Sequence, residues 1–164
     1  MQSMSNAAVP MGHNALVIER EAADRILQEA RSSLLHGAPL RLMTMRLLSK
    51  LPGYDWCGVY RLEGDDLLLD EFVGAPTDHT RIPVGSGVCG TAVAANANQV
   101  VDDVRSLTNY LSCSAQTRSE IVVLVRGGEG ILGQIDIDGH EVGAFDRSDE
   151  ELLESLAAIL AGRW

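Results

Sequence analysis

Two different periods of apolar residues divide this chain and limit what it can become. From Glu19 to His36, the residues Ala22, Ala23, Ile26, Leu27, Ala30 and Leu34 recur at three-to-four spacing, the stripe of an amphipathic helix, with Gly37 and Pro39 at its end. A second helix is expected from about Leu40 to Lys50, stopped by Pro52-Gly53. The period then drops to two. Trp56, Gly58 and Tyr60 alternate with Cys57, Val59 and Arg61, so a strand here sets both aromatics on one face and Cys57 with Val59 on the other. Glu63-Gly64-Asp65-Asp66 reads as a hairpin turn into Leu67–Val73, and two further strands, Glu120–Val125 and Ile131–Asp138, flank Arg126–Gly130. The second of these places Gln134, Asp136 and Asp138 on one face. Helical spacing returns at Asp146–Gly162 through Leu152, Leu153, Leu156, Ile159 and Leu160, with Ser148 and Glu151 as a capping-box signature. Two helices, a meander of antiparallel strands with a long irregular middle, and a closing helix predict an α+β sandwich.

At 164 residues the chain is expected to form one domain, residues 19–164, with a core large enough to need no disulfide staples. Residues 1–18 are small, polar and aperiodic, and read as a flexible tail. The three cysteines form no close metal spacing, and no basic segment with an apolar run opens the chain, so a reducing, cytoplasmic home is expected. No apolar run approaches the roughly 20 residues of a membrane span. With 13 basic against 23 acidic side chains and a net charge of -10, nucleic acid is not an expected partner.

Three strips carry residues suited to chemistry. Gly85, Gly87 and Gly90 satisfy G-x-G-x-x-G, but the acids Asp102 and Asp103 come too soon and the surroundings are hairpins, so dinucleotide binding is disfavoured. A tight turn presenting Cys89 at a helix N-terminus explains the same glycines, and a thiolate there would gain from the helix dipole. Cys113 falls between the turn-prone 106–112 segment and the strand near Glu120, hence on a loop. Asp136 and Asp138 share a strand face, where like charges repel unless solvent, a cation or a shared proton intervenes. The sequence leaves those alternatives open. A zinc site from Cys89, Cys113 and His79 lacks an evident fourth ligand.

The segments Tyr54-Asp55-Trp56-Cys57-Gly58-Val59-Tyr60, Arg81-Ile82-Pro83-Val84-Gly85-Ser86-Gly87-Val88-Cys89-Gly90-Thr91-Ala92, Arg118-Ser119-Glu120-Ile121-Val122-Val123 and Asp136-Ile137-Asp138 closely resemble the free methionine-R-sulfoxide reductases, which are stand-alone GAF domains. The resemblance runs from about Asp24 to the C-terminus. It implies a six-stranded antiparallel sheet with helices on one face and a loop-roofed ligand pocket on the other. It also implies thioredoxin-dependent reduction of free L-methionine-(R)-S-oxide without a metal or organic cofactor, often by a homodimer. Carried over to this chain, Cys113 matches the nucleophile and Cys89 a resolving thiol, which would turn a sulfenic acid into a disulfide. Glu120, Asp136 and Asp138 match pocket carboxylates, which could meet an ammonium or donate a proton to the sulfoxide oxygen. Trp56 and Tyr60 match the aromatic wall around the substrate's methyl end, and a cavity is expected beside Gly58. Backbone N–H groups around Ser112 and Cys113 are expected to hold the substrate carboxylate.

The chain departs from that pattern at His79, ten positions before Cys89, where the family commonly has a further cysteine. Ser114 and Leu124 also replace residues common in the family. Either Cys89 resolves Cys113 directly, or an external thiol does. A different class of function, a GAF module that senses a small ligand or a redox state without turnover, is the alternative these departures leave.

Overall fold

The computed structural model describes residues 19–111 and 114–164, so the expected tail at 1–18 and the site residues Ser112 and Cys113 lie outside the described residues. Two helices open the fold, α1 (Arg20–Ser32) and α2 (Gly37–Leu48). The first stops short of His36 because Ser33 turns extended and Arg163 takes over its end: the guanidinium donates to the carbonyls of Ala30 at 2.7 Å and Ser33 at 2.6 Å. Those carbonyls have no further helical turn to satisfy them. Pro39, expected as a stop, sits in the first turn of α2, where its missing N–H costs nothing.

Six strands follow: β1 (Trp56–Glu63), β2 (Asp66–Val73), β3 (Arg81–Pro83), β4 (Gln99–Val101), β5 (Ser119–Gly127) and β6 (Gly130–Gly139). They form one sheet in the order β3-β2-β1-β6-β5-β4 with every pairing antiparallel. The short strands β3 and β4 and a 3-10 turn at Val104–Ser106 fill what the sequence left as an irregular middle. Between β3 and β4 lies α3 (Gly87–Ala95), and α4 (Arg147–Ala161) closes the chain.

Alternation sorts the core. Cys57, Val59, Ile121, Val123, Val125, Ile135 and Ile137 face α1, α2 and α4 and form the larger cluster with Leu40, Leu48, Leu153 and Leu156. The other face carries Trp56, Tyr60, Val122 and Leu124, and against it pack Val88, Cys89 and Ala92 of α3. Three helices cover one face, as expected, and the short α3 joins the loops on the pocket side. It does so because Gly87 takes a positive φ against Leu111 and Gly90 brings the first turn close to β3, where a side chain would sit 2.5 Å from the Pro83 carbonyl. That close approach, in an all-antiparallel sheet, accounts for the glycine strip and removes the dinucleotide reading.

The capping box of α4 is formed by Asp146 and Asp149 rather than Ser148 and Glu151. Asp146 Oδ1 accepts from the Ser148 N–H at 2.7 Å, and Asp149 Oδ2 accepts from the Asp146 N–H at 2.7 Å. Asp149 is buried, and its second oxygen accepts from the Tyr54 hydroxyl at 2.8 Å. This pair ties the entry of β1 to the start of α4. Tyr54→Phe would leave Asp149 Oδ1 without that donor, so urea unfolding should show a loss of about 1–3 kcal/mol. A change below about 0.5 kcal/mol would show that the capping box stands without it.

Candidate active site

Three central strands build the site by register alone. Trp56 of β1 stands opposite Asp138 of β6, which stands opposite Glu120 of β5; the next row is Gly58, Asp136 and Val122; the third is Tyr60, Gln134 and Leu124. Because side chains alternate, all nine positions share one face. The row closest to the β1 start thus holds an indole and two carboxyls, and the middle row a third carboxyl. Glu120, Asp136 and Asp138 are 3%, 0% and 1% exposed, so the solvated-face alternative for the two aspartates is overturned.

From above, α3 lowers Cys89 onto this floor. Its Sγ lies 3.3 Å from Asp136 Oδ2 and 3.8 Å from Glu120 Oε1, with the thiol donating. Cys89 occupies the first turn of α3, as expected, but it is buried and turned toward carboxyl groups rather than presented to solvent. Cys57 points to the opposite core, and burial pushes its thiol far up.

Electrostatics follow from this crowding. Burial, and then the charge of Asp136, hold the Glu120 and Asp138 carboxyls well above the ordinary carboxylate range. Asp136 is raised less, to about 6, because burial is opposed by hydrogen bonds from Cys89 and Glu120. As pH rises the group therefore takes its negative charge on Asp136 first, and Glu120 and Asp138 hold their protons longer than exposed carboxyls do. Both oxygens of Asp138 and Oδ1 of Asp136 lack a well-formed hydrogen bond among the described residues, with the Thr117 hydroxyl a weak neighbour of Asp138.

The aromatic wall is as expected in membership but not in shape. The Trp56 ring folds over Gly58, where any side chain would overlap it, so the space anticipated beside the glycine is filled by the indole itself. Phe72, which the sequence reading missed, stacks on that indole at 5.7 Å and 20°. Two backbone carbonyls of the β2–β3 loop are held from below: Trp56 Nε1 donates to Ala75 O at 3.0 Å, and the Tyr60 hydroxyl donates to His79 O at 2.9 Å. His79 is half-buried and serves through its main chain at that contact. Gln134 is a second omission: fully buried beside Tyr60, it was placed on this face by alternation but given no role. A cavity of about 10 Å³ bordered by Ile82, Ser86, Cys89, Leu111 and Glu120 reaches the thiol, room for about one water. A cleft of about 340 Å³ along Asn98, Arg126 and Glu154 is lined by no nucleophile; there Asn98 donates to Glu154, and Arg126 to Asn96.

Fold and site together define a GAF domain, and the GAF domain family matches residues 42–164. Free methionine-R-sulfoxide reductase from Escherichia coli is 42% identical over 114 residues, covering 70% of this chain and 68% of that protein. Among solved structures, the free methionine-R-sulfoxide reductase from Neisseria meningitidis in complex with its substrate superposes with a TM-score of 0.80 at 34% identity, covering 88% of this chain and 86% of that one. A type II free methionine-R-sulfoxide reductase from Thermoplasma acidophilum does so with 0.71 at 40% identity, over 84% and 93%. The chain belongs to the free methionine-R-sulfoxide reductase family of GAF domains.

The buried carboxyls make a testable cost. Asp138 has an ordinary value of 3.8 and a higher one in the fold, so below the unfolded value both states hold the proton and no penalty exists. As pH rises toward the folded value, the unfolded state ionises first and stability falls. Asp138→Asn should therefore raise Tm by about 2–8 °C near neutral pH and much less near pH 4. An equal gain at both would contradict the assignment.

Proposed function

We propose that this protein reduces free L-methionine-(R)-S-oxide to methionine, with Cys113 as nucleophile and the carboxyls of Glu120, Asp136 and Asp138 serving the substrate's polar groups. The observation that supports this reading best is the division of labour among those carboxyls. Two are pushed toward their protonated form by burial and by a neighbouring charge, as suits a donor to a departing sulfoxide oxygen, and the third is raised least, as suits a partner for an ammonium. The substrate's methyl end would lie against Trp56 and Tyr60, whose faces supply apolar area and a quadrupole suited to a polarised S-methyl group. Its carboxylate would take the backbone N–H groups around Ser112. A methionine sulfoxide is far larger than one water, so its entry displaces the roof at Leu111 and the Ala75–His79 carbonyls.

In the first step the Cys113 sulfur bonds to the sulfoxide sulfur while Glu120 or Asp138 protonates the oxygen. The S–O bond then breaks to release hydroxide, which adds to the Cys113 sulfur as the new S–S bond breaks; methionine takes that bond's electron pair, and Cys113 is left as a sulfenic acid. The thiol is oxidised by two electrons and the sulfoxide is reduced by two. Asp136, the acceptor of the Cys89 thiol at 3.3 Å, is placed to take that proton, whereupon Cys89 attacks the sulfenic sulfur. A disulfide forms and water leaves. Thioredoxin restores both thiols by exchange, in the reducing cytoplasm that such a partner requires. No metal or organic cofactor enters these steps, and a pair of chains is the expected assembly.

The test is methionine release from the separated R and S forms, with dithiothreitol and then with thioredoxin, its reductase and NADPH. Turnover of the R form alone is expected. Glu120→Gln should lower kcat by about 10²- to 10⁴-fold. Cys113→Ser should release none, and Cys89→Ser one equivalent before stalling on thioredoxin. Stoichiometric release by the Cys113→Ser protein would falsify the roles, and tight binding of the sulfoxide without turnover would make the protein a ligand-sensing module.

A further inference from the structure

We propose that Cys89, Glu120 and Asp136 form a binding site for a divalent, thiophilic cation, zinc first, and that filling it holds the enzyme inactive. The three candidate donor atoms, one from each of α3, β5 and β6, lie within 4.8 Å of one another, and all three residues are buried. The sulfur stands 3.3 Å from Asp136 Oδ2 and 3.8 Å from Glu120 Oε1. A tetrahedral zinc, with bonds of about 2.3 Å to sulfur and about 2.0 Å to oxygen, has sulfur–oxygen edges of about 3.5 Å, between those two values. Both sulfur–oxygen edges of the triangle thus already lie close to those of a zinc site.

A second observation points the same way. Asp138 is directly across from Glu120 and two residues along from Asp136 on the same face, it is 1% exposed, and neither of its oxygens has a well-formed hydrogen bond among the described residues, the Thr117 hydroxyl being a weak neighbour. Oδ1 of Asp136 likewise lacks a well-formed hydrogen bond. No ion pair among the described residues involves any of the three carboxyls. Lone pairs buried in this way are costly, and a cation is the ligand that satisfies several at once. The neighbouring cavity of about 10 Å³ reaches both Cys89 and Glu120 and is the size of an ion or a water, too small for an organic molecule. The triad supplies three protein donors, and the open fourth position would go to water.

The binding half stands on geometry alone, whereas the inhibition rests on the function proposed above. Occupation would engage the thiol that resolves the sulfenic acid, the proton donor Glu120 and the ammonium partner Asp136 together. Zinc release would then return the enzyme to the active state, a switch responsive to free metal.

Cobalt titration of the reduced, chelator-treated protein separates the two halves, because it is read without substrate. One equivalent of Co²⁺ should give the intense visible bands of tetrahedral coordination and a sulfur-to-cobalt charge-transfer band, both removed by one equivalent of Zn²⁺. Cys89→Ser should lose the charge-transfer band, Asp136→Asn should weaken binding at least about tenfold, and Cys113→Ser should keep the full spectrum. Circular dichroism establishes that each variant is folded. A folded wild-type protein with no stoichiometric band overturns the site, as does a band that survives Cys89→Ser and vanishes in Cys113→Ser. In the turnover assay, Zn²⁺ should abolish methionine formation reversibly with EDTA. Stoichiometric binding with undiminished turnover would overturn the inhibitory half.

Discussion

Everything in this fold is arranged around three carboxyl groups held out of water on one face of a sheet. Removing a carboxylate from water is among the most costly acts a protein performs, and the group responds by keeping its proton. Here neighbouring acids deepen the effect, since Asp136 raises both Glu120 and Asp138. The opposite face of the same strands carries an uninterrupted aliphatic layer from Ile121 to Ile137 against three helices. That burial, at about 25 cal/mol per Å² of apolar surface, is what lets a single sheet sustain a destabilised site on its other side.

Register is the device that turns this constraint into a site. Antiparallel pairing sets Trp56, Asp138 and Glu120 in one row, and Gly58 with Asp136 in the next. The glycine lets the indole lie flat on the sheet, Phe72 stacks over it, and the indole N–H then reaches Ala75. Floor and roof are thereby linked through the same two aromatics that line the pocket. Cys89 arrives from the other direction because α3 is drawn down by the glycines ahead of it.

Much of this was legible in the sequence, and the reasons for the remainder are specific. Alternation around Trp56 and along Gln134–Asp138 gave the correct face for each side chain, because a period of two survives any uncertainty in strand ends. Phe72 was hidden by a bulge: the β1–β2 register shifts between Val59 and Tyr60, so counting from the Gly64-Asp65 turn would set Glu71 opposite Gly58, where Phe72 stands. The burial of Asp138 could not be read from its nearness to Gly139, since that strand end is covered by Ser119 of β5, by Ala144 beyond β6 and by the Gly53 carbonyl. Capping at Asp146 rather than Ser148 depends on Tyr54, nearly a hundred residues away, and no local pattern records such a partner. The resemblance to free methionine-R-sulfoxide reductases supplied what periodicity could not, the expectation that Cys113 is the nucleophile and that Cys89 or an external thiol resolves it.

The central claim is that the site keeps neutral carboxylic acids at a pH where an exposed carboxylate would be ionised. Infrared difference spectroscopy between the wild-type protein and Glu120→Gln, near neutral pH, reads this directly. The account predicts that the wild type shows a carboxylic acid C=O stretching band, positioned as for a dry environment, and that the variant loses it. A wild-type spectrum with only carboxylate bands, and a difference confined to them, would contradict the account.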